Sequence, residues 1–140
     1  MRMTLKDVKK NLKGLIALGG ATLPSKLSFA ISRNIEKLQA EERRAEDERS
    51  KLCEQYSDKD KDGNPVMTDC VIEGLKTQKY EMSPENQEAF NQEYEDLMNE
   101  EVDIDIRMVK LECIEQCEKA ERYTILSVGD IAAMSFMIEE

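Results

Sequence analysis

The sequence predicts an α+β fold, mostly α: a long helix or helical hairpin, a small antiparallel β-sheet and a C-terminal helix. Three observations carry this. Apolar residues recur at helical spacing in residues 5–16 and again in residues 27–38. Helix-capping signatures stand at Thr4, Ser83 and Ser127. One stretch, residues 102–108, alternates apolar and polar side chains with the period of a strand. At 140 residues the expectation is a single domain, 1–140, from which a charged helix (about residues 23–57) projects. A chain of this length removes roughly two-thirds of its unfolded surface from water.

Thr4 and Asp7 form a capping box, and Leu5, Val8, Leu12, Leu15 and Ile16 supply the apolar face of the helix that follows. Gly19-Gly20 ends it. Leu23-Pro24-Ser25 opens a second helix, since proline suits a first turn. Its stripe is Leu27, Ile31, Ile35 and Leu38, thinning to Ala45, Leu52 and Tyr56 where residues 41–51 become almost wholly charged. Glu42 and Glu46 lie on the helix face of Arg49, and opposite charges three or four apart, such as Glu46 with Arg49 and Asp47 with Lys51, support a solvated helix by a few tenths of a kcal/mol each. That segment reads either as a solvated face or as an arm meeting a partner or a second copy. A polar loop follows over residues 58–64, and residues 76–82 read as a short strand. Ser83-Pro84-Glu85 starts a helix whose apolar face is Phe90, Tyr94, Leu97 and Met98. Val102, Ile104, Ile106 and Met108 then alternate with Asp103, Asp105 and Arg107. A lone strand is unstable, so this one is expected to pair with residues 76–82 or 66–71. Residues 111–124 are ambiguous. Ser127-Val128-Gly129-Asp130 caps a last helix carrying Ile131, Met134, Phe136, Met137 and Ile138.

Composition excludes several classes of function. The chain has 20 Lys+Arg against 30 Asp+Glu, a formal net charge of −10. That opposes a broad nucleic-acid-binding surface and docking on anionic lipid. No apolar run approaches the roughly 20 residues of a membrane span, and MRMTLKDVKK does not read as a signal peptide. Histidine is absent, which removes Ser-His-Asp, Cys-His and His-ligated metal chemistry. Cys53, Cys70, Cys113 and Cys117 read as reduced thiols of an intracellular protein, acting as small apolar residues. Cys113 and Cys117 would share one face of a helix. A four-cysteine zinc site is disfavoured because paired C-x2-C knuckles are missing. The Met residues of the last helix read as core filling, with an adaptable binding surface as the alternative.

Asp58-Lys59-Asp60-Lys61-Asp62-Gly63 matches the first half of an EF-hand loop, with carboxylates at positions 1, 3 and 5 and glycine at position 6. The second half departs from the pattern, with Pro65 at position 8 and Asp69 at position 12. Asp58, Asp60 and Asp62 are therefore candidate ligands for weak calcium, against the plainer reading of a charged surface turn with its corner at Asp62-Gly63. No other cofactor is indicated: neither G-x-x-x-x-G-K-[ST] nor G-x-G-x-x-G occurs. Asp103 and Asp105 fall on one strand face about 7 Å apart. Glycosidases use such pairs, but usually in an aromatic-lined cleft, and this chain has no Trp; the pair reads as a solvated face.

The order of these segments also carries a resemblance. Leu23-Pro24-Ser25-Lys26-Leu27-Ser28-Phe29 leads into a long helix; Tyr56 and a Lys61-Asp62-Gly63 turn follow. Next come the acidic helix at 91–100 and Glu101-Val102-Asp103-Ile104-Asp105-Ile106. The chain closes on Leu126-Ser127 and Phe136-Met137-Ile138-Glu139-Glu140. This resembles a family of small proteins of unknown function encoded by phages and prophages of Gram-positive bacteria. The likeness covers most of the chain from Leu23 onward, and residues 111–124 depart from it. It implies a protein of the host cytoplasm, favours the turn reading of residues 58–63, and supplies no catalytic residue.

Three functions are expected from this, none enzymatic. The first is an inhibitor whose acids occlude a basic surface of a host or anti-phage defence protein, in the manner of a nucleic-acid mimic, without itself binding nucleic acid or membrane. Its contacts would be Glu41, Glu42, Glu46, Asp47, Glu48, Asp103 and Asp105. The second is a phage structural or assembly protein, a candidate homo-oligomer, associating through the long helix and the C-terminal helix. The third is a single calcium-loop module built on Asp58, Asp60 and Asp62.

Overall fold

A computed structural model describes residues 1–139. The elements run β1 (Arg2–Thr4), α1 (Leu5–Ile16), α2 (Ser25–Tyr56), β2 (Met67–Ile72), β3 (Leu75–Tyr80), α3 (Pro84–Met98), β4 (Glu101–Asp103), β5 (Val109–Lys110), α4 (Leu111–Lys119), α5 (Val128–Met134), a 3-10 turn (Ser135–Met137) and β6 (Ile138–Glu139). The class is α+β, mostly α, with one long helix and a C-terminal helix. By packing, the chain divides into two compact units: Met1–Arg43 with Glu100–Glu140, and Arg44–Asn99. The division falls within α2.

The first unit holds most of the core. The Thr4 capping box forms as its sequence requires, Thr4 Oγ1 accepting from the Asp7 N–H at 3.1 Å while Asp7 Oδ2 accepts from the Thr4 N–H at 3.3 Å. Val8 and Leu15 of α1 and Leu27 and Leu38 of α2 are fully buried, together with Met134 and Met137 from the C-terminal region. The two methionines are thus core, not an exposed binding face. Ile16 departs from its expected place on the apolar side and stands 52% exposed, since it follows buried Leu15 by one residue, about 100° round the helix. Gly14 lets α1 and α5 approach closely: a Cβ there would lie 2.9 Å from Ala133 Cβ.

The period-two stretch corrects the expected pairing. Its strand partner is the N-terminus, not residues 66–71 or 76–82: β1 pairs antiparallel with β4, Met3 opposite Val102. Three residues are too few to show a period, so β1 leaves no strand signal in the sequence. Beyond Asp103 the chain is not strand, although Ile104 and Ile106 remain buried and Asp103, Asp105 and Arg107 exposed. The physical reason is that side chains replace a neighbouring strand. The Asn34 amide takes the Arg107 N–H at 2.8 Å and donates to the Arg107 carbonyl at 3.0 Å. Lys37 Nζ donates to the Asp105 carbonyl at 2.6 Å. Residues 109–110 then run parallel to 138–139, a pairing the sequence did not signal. The ambiguous residues 111–124 contain α4, which buries Cys113, Ile114 and Cys117 on one face.

The second unit contains the charged half of α2, a hairpin and α3. Its buried residues are few: Ala45, Cys53, Ser57 and Met98. Arg49 pairs with Glu46 as expected, but Lys51 pairs with Glu48 at 3.0 Å rather than with Asp47, glutamate being longer by one methylene. β2 and β3 pair with each other through a two-residue turn. Glu73 (φ 51°) and Gly74 (φ 79°) are both left-handed, the geometry that matches a hairpin's twist. Ser83 caps α3 by accepting the Asn86 N–H at 3.3 Å, with Pro84 in its first turn.

Candidate functional site

The expected acidic contacts are split between the two units. Glu41, Glu42, Asp103 and Asp105 belong to the first; Glu46, Asp47 and Glu48 belong to the second. Several already have cationic partners. Asp103 meets the N-terminal ammonium of Met1 at 3.1 Å, Asp105 meets Lys37 at 3.1 Å, Glu46 binds Arg49 and Glu48 binds Lys51. The hydrogen bond to Glu46 holds the Arg49 guanidinium above its ordinary pKa, and that to Glu48 does the same for Lys51. Exposed pairs of this kind are screened by solvent and contribute little to stability. They leave the surface acidic while fixing where its charges point.

The charge is unevenly shared. Fifteen acids face seven bases in residues 44–99, so this unit carries eight of the ten net negative charges. The other unit is close to balanced, with fifteen acids against thirteen bases. The second unit also exposes the apolar end of its hairpin: Val71 is 66% exposed and Leu75 72%.

Asp58, Asp60 and Asp62 sit in a hydrogen-bonded turn. Asp60 Oδ1 accepts the N–H groups of Asp62 (2.9 Å) and Asn64 (3.0 Å), an Asx turn. Asp58 Oδ1 accepts the Ser83 N–H at 3.0 Å, tying the loop to the start of α3. Gly63, at φ 81°, turns the corner. Among the described residues, no group of three or more Cys, Asp or Glu is gathered as a metal would need. Each of the two carboxylates engages backbone instead.

Three of the four thiols are buried: Cys53, Cys113 and Cys117. Burial raises the Cys53 and Cys117 thiols above their ordinary value. Cys70 on β2 is half-exposed. Tyr56 donates to Glu93 at 3.4 Å, and burial with that carboxylate raises its phenol.

One cluster escaped the sequence reading. Arg33 and Lys37 of α2, together with Arg107 and the carboxylate of Asp105, line a cavity of about 240 Å³. Phe29, Arg33 and Lys37 are spaced four apart on one helix stripe, a readable signal, but Arg107 reaches them only through the fold. Comparison with family models, curated proteins and solved structures gave no match. Among the described residues no helix is long and apolar enough to cross a membrane.

Proposed function

We propose that this chain is a non-enzymatic acidic binding protein that covers a basic surface of a protein partner, acting in the host cytoplasm as an inhibitor of host or anti-phage defence machinery. The observation that carries the reading is the concentration of eight of the ten net negative charges in residues 44–99. A surface of one sign steers encounter with its opposite and competes with nucleic acid for the same basic channel. Glu46, Asp47 and Glu48 on the exposed half of α2 are its central contacts. The absence of histidine supports a binding role over catalysis, since a chain without it has no imidazole base. The phage or prophage setting rests on the resemblance of the segments from Leu23 onward.

The test is capture of partners on the tagged protein from nuclease-treated lysate of a Gram-positive host, followed by competition with purified components. The expected partner is a basic nucleic-acid-handling protein, retained at about 50 mM salt, released at about 500 mM, and displaced from its nucleic acid by this chain. Affinity unchanged across that range overturns the reading, because screening must weaken contacts between exposed charges.

A second reading, a structural or assembly protein, is favoured by one observation: Val71, Ile72 and Leu75 stand exposed on the hairpin. A two-stranded hairpin is marginal alone in water. Concentration-dependent association in light scattering, abolished by Leu75→Lys, is the result that reading requires.

A further inference from the structure

The first unit contains a feature that its role as an acidic binder does not use. We infer that the cavity between Arg33, Lys37 and Arg107 binds a small phosphate ester, with the exposed ring of Phe29 as a stacking platform for a planar group attached to it.

The site is built rather than incidental. Asn34 is fully buried, and both ends of its amide hold the backbone of Arg107. Lys37 is fixed by the Asp105 carbonyl and carboxylate. The Arg107 guanidinium lies over the Phe29 ring, 4.9 Å from its centre, in a cation–π contact. Two helix residues and one residue some seventy positions away thus converge on a cavity of about 240 Å³, polar over most of its lining.

Charge selects the ligand. Arg33 pairs loosely with Glu36 at 3.4 Å and Lys37 with Asp105 at 3.1 Å. Among the described residues, Arg107 has no carboxylate partner. One cation is left over, and two others hold partners that are at least 64% exposed and easily exchanged. A phosphate ester brings a charge near −2 and three acceptor oxygens, and two guanidinium forks match that geometry. The ligand must also be small. A chain of net charge −10 repels a polyanion, whereas the local field acts within roughly 10 Å. Arg107 lies over one face of the Phe29 ring, and with 53% of the residue exposed the stacking platform is the ring surface that Arg107 leaves uncovered beside the cavity. Together these describe a mononucleotide better than a nucleic acid.

The experiment is a titration of the isotope-labelled full chain, followed by amide NMR, with adenosine monophosphate, inorganic phosphate and adenosine in parallel. The expected result is saturable binding of the monophosphate, with shifts at residues 33–37 and 105–107, weaker binding of phosphate and none of adenosine. Arg107→Gln and Arg33→Gln should each weaken it about tenfold, and Lys61→Gln should leave it unchanged. Both arginine side chains are solvent-facing, and matching amide spectra of the free variants show that they fold. No saturable shift up to about 10 mM monophosphate, a weaker affinity than any specific two-arginine site should have, overturns the proposal. So does equal binding by Arg107→Gln.

Discussion

Asn34 is the residue whose removal tests the account of this fold most directly. It is the buried polar side chain that stands in for a β-strand, holding the N–H and carbonyl of Arg107 at 2.8 and 3.0 Å. Asn34→Leu keeps the number and branching of the side-chain heavy atoms and deletes both bonds. Each neutral hydrogen bond contributes about 1 kcal/mol net, and a donor or acceptor left buried without a partner costs about 1–3 kcal/mol. Leucine recovers about 1 kcal/mol through apolar burial. The expected loss is about 2–4 kcal/mol, a large share of the roughly 5–15 kcal/mol that holds a domain together. Urea unfolding followed by far-ultraviolet circular dichroism reads it as a lower midpoint with unchanged slope. A loss below about 0.5 kcal/mol would refute the reasoning: residues 104–108 would then keep their conformation without the amide.

Three further outcomes follow from packing, exposure and ionisation. Gly14→Ala should lower the melting temperature even though alanine is the better helix former by about 1 kcal/mol, because its Cβ would stand 2.9 Å from that of Ala133 and overpacking costs about 1–3 kcal/mol; a raised melting temperature would show that α5 yields freely. Among the thiols, half-exposed Cys70 should react first with an aromatic disulfide reagent at pH 8, with Cys53, Cys113 and Cys117 protected until the chain unfolds. The raised Cys53 and Cys117 values mean that the folded state keeps protons the unfolded state releases. Stability should therefore fall as pH rises above the ordinary thiol value of about 8.5. Urea midpoints that stay level between about pH 7.5 and 9.5 would contradict that sign.

Local chemistry made much of the architecture legible. The capping boxes at Thr4 and Ser127 and the Ser83-Pro84 start each act within four residues, so reading them in order was enough. The buried faces of α1 and of the first half of α2 followed from helical spacing, because a stripe of leucines leaves a helix one way to face the core. The Asp58–Gly63 turn was equally local: Asp60 bonds backbone two and four residues ahead.

What was not legible depended on partners distant in the chain. The alternation at residues 102–108 correctly placed Ile104 and Ile106 inside, yet it could not say what would satisfy the backbone. The answer is a three-residue strand at the N-terminus and two side chains of α2, and neither has a periodic signature. The same holds for the cationic cavity. Phe29, Arg33 and Lys37 mark a stripe, but only the buried Asn34 amide brings Arg107 to it. The sequence by itself determined the helices, their caps and the strong negative balance, since these arise from neighbours along the chain. Only the tertiary structure decided the strand partners, the division into two units and the convergence of three cations. Those depend on contacts closed across long loops, where many pairings are open to the chain and packing selects one.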